Sequence, residues 1–216
     1  RFYADLHGVP REDFAKRRAE LLRFTRLDRF TERRAGKLSG GMKQKLGLIC
    51  VLIHRPAVLL LDEPTNVVDP VSRREFWEIL RALVAGIPGD EPSARRVAIV
   101  VSTPYMDEAE RCHRVALLDN GRVRALGRPD DLRAKVPGVV LEVTTAEAAR
   151  ARAVIAQTAG DPYVTLFGTR LRARSIRPDA RNAVAAALRE VGIEADVAVV
   201  PPSMEDVFVS LSRGAS

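Results

Sequence analysis

No run of apolar residues in this sequence approaches the roughly 18–20 that a bilayer-spanning helix needs. The amino end, RFYADLHGVPRED, also lacks the long apolar segment of a secretory signal. Both absences point to a soluble, cytoplasmic chain. Cysteine is scarce: Cys50 and Cys112 are the only 2 in 216 residues and have neither CxxC nor metal-ligand spacing. They read as packing residues, not as a disulfide or zinc framework. Lysine is sparser than the charge implies. The net charge is +7 and the pI near 10.0, yet only Lys16, Lys37, Lys43, Lys45 and Lys135 are lysines, and the arginines scatter from Arg1 to Arg213. A basic total without a dense block or interleaved aromatics argues for solvated faces, and no nucleic-acid partner is expected.

What is present is ordinary for a folded chain. Hydrophobic residues make up 46% and charged residues 29%, far from the composition of disordered segments. The 216 residues suffice for one core or for a domain with a small second one. Beginning at Arg1 in mid-pattern, the sequence reads as a piece of a longer one.

Apolar spacing predicts amphipathic helices over 11–25, 27–33 and 42–54, the last with Leu46, Ile49, Cys50 and Ile53 on one face. A short apolar strand over 58–61 reads as buried on both faces of a parallel sheet. A helix capped by Ser72 follows over 72–85, then a loop over 86–92, a second buried strand over 95–102 and a helix over 106–112. This alternation is the pattern of an α/β layer fold. Asn120-Gly121 between apolar runs marks a hairpin. Beyond Pro137-Gly138, strands over 139–143, 163–167, 170–175 and 194–200 and helices over 146–158 and 180–191 give the order β-α-β-β-α-β of a ferredoxin-like module. A last helix is expected over 203–211.

Two segments could carry chemistry. PAVLLLDEPTN ends a buried strand in Asp62 and Glu63, at the sheet edge where α/β folds bind ligands. There one acid could support Mg²⁺ while the other polarises an attacking water. A solvent-facing strand end fits the same residues equally well. In LSGGMKQK, paired glycines at a helix start let an anion approach the exposed N–H groups, which the helix dipole favours. An ordinary serine-capped helix fits that segment too. A GxxxxGK[ST] phosphate loop is absent. The nearest string, TERRAGKL, has Thr31 in place of the first glycine and Leu38 in place of the hydroxyl residue.

LSGGMKQKLGL, RPAVLLLDEPTNVVDPVSRREFW and VSTPYMDEAERCHRVALLDNGRVRALG, in that order, resemble the ATP-binding subunit of ABC transporters, densely over 1–132. PPSMEDVFVSL is similar to the tail of drug-exporter type subunits. The resemblance implies an α/β fold: a partial P-loop NTPase core with a helical signature subdomain, followed by a small α+β domain. The expected divisions are 1–55, 56–136 and 137–216. It implies that Ser39, Gly40 and Gly41, with Met42 and Gln44, contact the nucleotide of an opposite ATP-binding subunit. Asp62 then supports Mg²⁺, Glu63 is the general base for water, and Asp69 lies at the dimer interface. ATP and Mg²⁺ are the implied cofactors, a transmembrane permease subunit and a second ATP-binding subunit the partners, and the inner face of the cell membrane the location.

Three departures bear on these expectations. The phosphate-binding and glutamine-containing loops of the family do not precede the signature, so the 216 residues alone are expected to hydrolyse little ATP. Pro104 stands at the switch position where the family has histidine, and offers no side-chain donor. Val67 replaces a small D-loop residue. His113 reads as a surface residue and Tyr105 as packing. The resemblance thus implies an export ATPase subunit. The alternative is a degenerate subunit that lends its signature motif to a partner without hydrolysing ATP. Nucleic-acid binding by the basic surface or the tail is a third reading.

Overall fold

In the computed structural model, proline and glycine set most of the boundaries in the amino-terminal part. α1 (Phe2–Leu6) ends before Gly8, and α2 (Arg11–Phe24) begins directly after Pro10. A 3-10 turn at Asp28–Phe30 occupies part of the predicted 27–33 helix. α3 (Gly40–Leu52) starts at Ser39, and β1 (Val58–Asp62) leads by way of Asp69 into α4 (Pro70–Ala85). β2 (Ala98–Ser102) pairs with β1 in parallel, with Asp62 opposite Ser102 at the carboxyl ends. The structure describes residues 1–66, 68–86, 97–160, 164–167 and 169–213. Val67, most of the 86–92 loop, Arg95-Arg96 of the second predicted strand and Tyr163 of the 163–167 strand lie outside them.

Two expectations need correction here. α4 starts two residues before the predicted point and is capped by Asp69, not Ser72, because Pro70 at the first helical position is pre-set for helix and needs no N–H partner. The β1–β2 pair is not buried on both faces. Leu59 is 4% exposed, but Val58, Leu60 and Val100 are 54%, 73% and 59% exposed. Strand side chains alternate, and among the described residues only the Leu59 face is covered. At α3 the predicted residues Leu46, Ile49, Cys50 and Ile53 share a face, with Ile49 and Ile53 buried; Lys45, Leu48 and Leu52 are buried beside them. That face lines a cavity of about 260 Å³ with Phe14, Leu22 and Phe30. The inward residues of α4, Phe76, Ile79, Leu80 and Leu83, are buried as expected, with Trp77. Each such apolar side chain contributes roughly 1.5–3 kcal/mol.

The chain divides into two units, Arg1–Pro104 and Tyr105–Ser216. The second opens with α5 (Met106–Ala109), shorter than the predicted 106–112 helix, and the antiparallel hairpin β3 (Val115–Asp119) and β4 (Arg122–Gly127). Asn120 and Gly121 both have positive φ, 50° and 72°. That is what a two-residue turn matching the strand twist requires. A short α6 (Pro129–Arg133), not expected from the pattern, follows.

Next come β5 (Val139–Thr144), α7 (Ala148–Ala159), β6 (Thr165–Phe167), β7 (Arg170–Ser175), α8 (Ala180–Glu190) and β8 (Asp196–Val200). The sheet order is β6-β7-β5-β8, every neighbour antiparallel. This is the ferredoxin-like arrangement the element order implied. Its core comprises Leu141 and Val143 of β5, Ile155 of α7, Leu171 of β7, and Val184 and Leu188 of α8, all buried. α9 (Met204–Arg213) closes the described chain.

Candidate nucleotide site

Asp62 and Glu63 meet at Ser102, a residue that the sequence reading passed over. The Ser102 hydroxyl donates to Asp62 Oδ1. It also accepts from the Glu63 N–H at 3.2 Å, and that N–H donates to the Ser102 carbonyl at 3.0 Å. Glu63 has φ of +42°, a left-handed conformation unusual for a residue with a Cβ. It costs on the order of 1–2 kcal/mol and is held here by those backbone bonds. The reversal thus lies at Glu63 itself, with Pro64 and Thr65 buried behind it. Both carboxylates are exposed, and Glu63 Oε2 accepts from Asn66 Nδ2 at 3.0 Å.

The signature segment forms the first turns of α3. Ser39 is extended, and its hydroxyl accepts from the Met42 N–H at 3.3 Å, a serine cap. The first turn carries no acidic residue, which keeps the positive end of the helix dipole uncancelled. Gly41 is buried, and a Cβ built there would fall 2.5 Å from Ser72 Cβ, so α3 and α4 approach at a distance only glycine permits.

Asp69 caps α4, accepting from the Ser72 and Val71 N–H groups at 2.9 and 3.1 Å. Hydrogen bonds from the Ser72 N–H and then its hydroxyl hold the Asp69 carboxyl below its ordinary value. Farther along, buried Lys45 of α3 pairs with Glu75 of α4 at 2.6 Å. The start of the signature helix and the start of α4 therefore form one braced unit.

The predicted residues thus fall into two constellations. Ser39, Gly40, Gly41, Met42 and Gln44 open α3, with Asp69 and Ser72 beside Gly41. Asp62 and Glu63 end β1, joined through Ser102. Pro104 lies two residues past β2, with Val67 outside the described residues. His113 is exposed, as expected. Cys50 and Cys112 are partly buried free thiols, both pushed up by burial. Among the described residues no three His, Cys, Asp or Glu are grouped to hold a metal ion. Asp62 with Ser102 offers two hard oxygen donors, a set that fits Mg²⁺ shared with phosphates and water.

Residues 5–66, from α1 through the carboxylates, match the family described as ABC transporter. The chain is 38% identical over 203 residues to the daunorubicin resistance ATP-binding protein DrrA2 of Streptomyces coeruleorubidus, across 91% of this chain and 60% of that protein. This chain is part of an ABC transporter ATP-binding domain. It is also 47% identical over 136 residues to the probable multidrug ABC transporter ATP-binding protein YbhF of Escherichia coli, covering 63% of this chain and 22% of that one. Among solved structures, cbiO1 of Clostridium perfringens, described as part of the ABC transporter complex cbiONQ, matches with a TM-score of 0.50 and 27% identity over 58% of this chain and 47% of that one. The chain spans less than two thirds of the length of these relatives. The ABC ATP-binding domain seen here is a mixed α/β, partial P-loop NTPase core followed by the small ferredoxin-like sheet. None of its described helices is long and apolar enough to cross a membrane.

Proposed function

We propose that these residues belong to the ATP-hydrolysing subunit of an export system. In this reading the subunit works at the cytoplasmic face of a membrane with permease subunits and a second ATP-binding subunit. The observation that carries it is the joined set Asp62, Ser102 and Glu63 at the carboxyl ends of two parallel strands. Asp62 and Ser102 are the residues that would hold Mg²⁺. When bound with the nucleotide, the ion supplies neutralisation of phosphate charge. Glu63, exposed and turned out of the strand by its own backbone, accepts the proton of the attacking water.

Ser39, Gly40 and Gly41, with Met42 and Gln44 in the same turns, offer a helix amino end to the γ-phosphate of a nucleotide on the second subunit. Asp69, beside that turn, lies at the interface between the two subunits. Its cap ties the interface loop to α4, and Gly41 against Ser72 ties α4 to the signature, so the two elements move together on closure. Pro104 contributes no donor to the phosphate, and Pro104→His is expected to raise turnover.

The reading is tested by sedimentation of the natural polypeptide that carries these residues, as its Glu63→Gln variant. With ATP and Mg²⁺ the variant should form a dimer that Ser39→Arg abolishes. A monomer under all conditions would contradict it.

A further inference from the structure

Around the amino end of α9, contacts from two sides of the second unit converge. Glu110, directly after α5, accepts the Met204 N–H on Oε1 at 3.1 Å, and Arg133 of α6 lies 3.5 Å from the same oxygen. Met204 opens α9, and its N–H is one of the donors a helix leaves unsatisfied. A carboxylate there satisfies that donor and complements the helix dipole.

The next turn is held from the sheet. Ser203 donates its N–H and its hydroxyl to Asp206 Oδ2 at 2.7 and 2.8 Å, and the Asp206 N–H donates back to the Ser203 hydroxyl at 3.3 Å. This is a reciprocal cap of the capping-box kind. The same Asp206 oxygen lies 3.3 Å from Arg172 Nη1 of β7. Arg172 Nη2 donates to the Pro201 carbonyl at 3.3 Å, just past the end of β8. Pro201-Pro202 then leaves the link from β8 to α9 little conformational freedom.

Packing completes the connection. Met204 and Val207 are buried in one cluster with Ala109 of α5, Val115 and Leu117 of β3, and Leu132 of α6. Arg172 and Asp206 are 19% and 18% exposed, so solvent screens this pair less than a surface pair. A shift at the β7–β8 end therefore has a stiff path to the segment that begins at Tyr105, immediately after Pro104.

We propose that Glu110 is a positioning residue: through α9 it ties α5 to the carboxy-terminal sheet, so that the Arg172–Asp206 contact sets the order of the segment following Pro104. The functional part of this inference rests on reading Pro104 as the switch position. The sheet thereby acts on the site without supplying a group to it.

Hydrogen exchange on the 216-residue chain tests the link without nucleotide. Glu110→Ala should speed exchange about tenfold at 204–207 and at 106–112. Glu110→Gln, which keeps an acceptor for the Met204 N–H, should restore most of the protection at 204–207. Arg172→Ala and Asp206→Asn should each speed exchange about tenfold at 106–112, with the β5 amides still protected as the sign of a folded sheet. Arg170→Ala, on the same strand, should leave 106–112 unchanged.

Unchanged exchange at 106–112 in both Arg172→Ala and Asp206→Asn would overturn the proposal. If Arg172→Ala loses the β5 protection, the milder Asp206→Asn decides. In the ATP-hydrolysing natural polypeptide, Asp206→Asn should lower kcat and leave KM for ATP unchanged. Faster exchange with an unaltered kcat would overturn the positioning role. Absence of turnover in the unmodified protein would instead sink the functional reading, with the exchange result still standing.

Discussion

Asp62 and Ser102 face each other across the parallel pair β1–β2, and the Ser102 hydroxyl joins the side chain of one acid to the backbone of the next. Replacing Ser102 with alanine removes a donor from Asp62 and an acceptor from the Glu63 N–H. Because that N–H keeps its bond to the Ser102 carbonyl and the site is exposed, the loss should be about 0.5–1.5 kcal/mol. Urea unfolding should show a lower midpoint for Ser102→Ala and a near-normal one for Ser102→Thr. Equal midpoints for all three proteins would mean that the bond contributes nothing to the strand ends.

Gly41 makes a second prediction that separates packing from nucleotide contact. A methyl group there meets Ser72 Cβ at 2.5 Å, and overpacking of this kind costs about 1–3 kcal/mol. Gly41→Ala should therefore destabilise the chain without any nucleotide present. Adding Ser72→Gly should recover part of the loss, with a coupling of about 0.5–3 kcal/mol in a double-mutant cycle. Strict additivity would show that the two residues do not meet.

How much of this was legible in the sequence depended on which physical signal each element carries. Strand β7 matches its predicted limits because Leu171, Ala173 and Ser175 alternate with arginines along it. The hairpin was legible because positive φ at Asn120 and Gly121 demands those residue types. α1 and α6, of 5 residues each, are too short to show a helical period, so tertiary packing of Ala4 and Leu132 decides them.

In the candidate site, Asp62, Glu63 and the signature glycines stood out as motifs. Ser102 did not, since a single serine at a strand end is unremarkable until the parallel register sets it opposite Asp62. Asp69 stands out through its motif, whereas the sequence pattern points to Ser72, three residues later, as the cap. A serine and an aspartate before the same apolar run are equivalent cap signals, and Pro70 is what decides between them.

Asp69 also predicts a pH dependence. Its folded carboxyl is held below the ordinary 3.8 by the Ser72 N–H and hydroxyl, so the cap favours the ionised form. Its contribution is fully present above 3.8 and is lost as the pH falls through the lower, folded value. Asp69→Asn keeps a capping oxygen but does not titrate. The stability difference between the two proteins, followed by circular dichroism, should be flat above about pH 5 and change only on the acid side. A difference that varied through neutral pH and stayed flat in acid would assign the dependence to another group.

The role proposed for Glu63, accepting a proton in ATP hydrolysis, is tested most directly by phosphate release at saturating ATP and Mg²⁺. The natural polypeptide that carries these residues should turn over ATP, and its Glu63→Gln variant, which keeps size and hydrogen bonding but loses the base, should be slower by about 10²–10⁴-fold. Turnover equal in the two proteins would contradict the assignment.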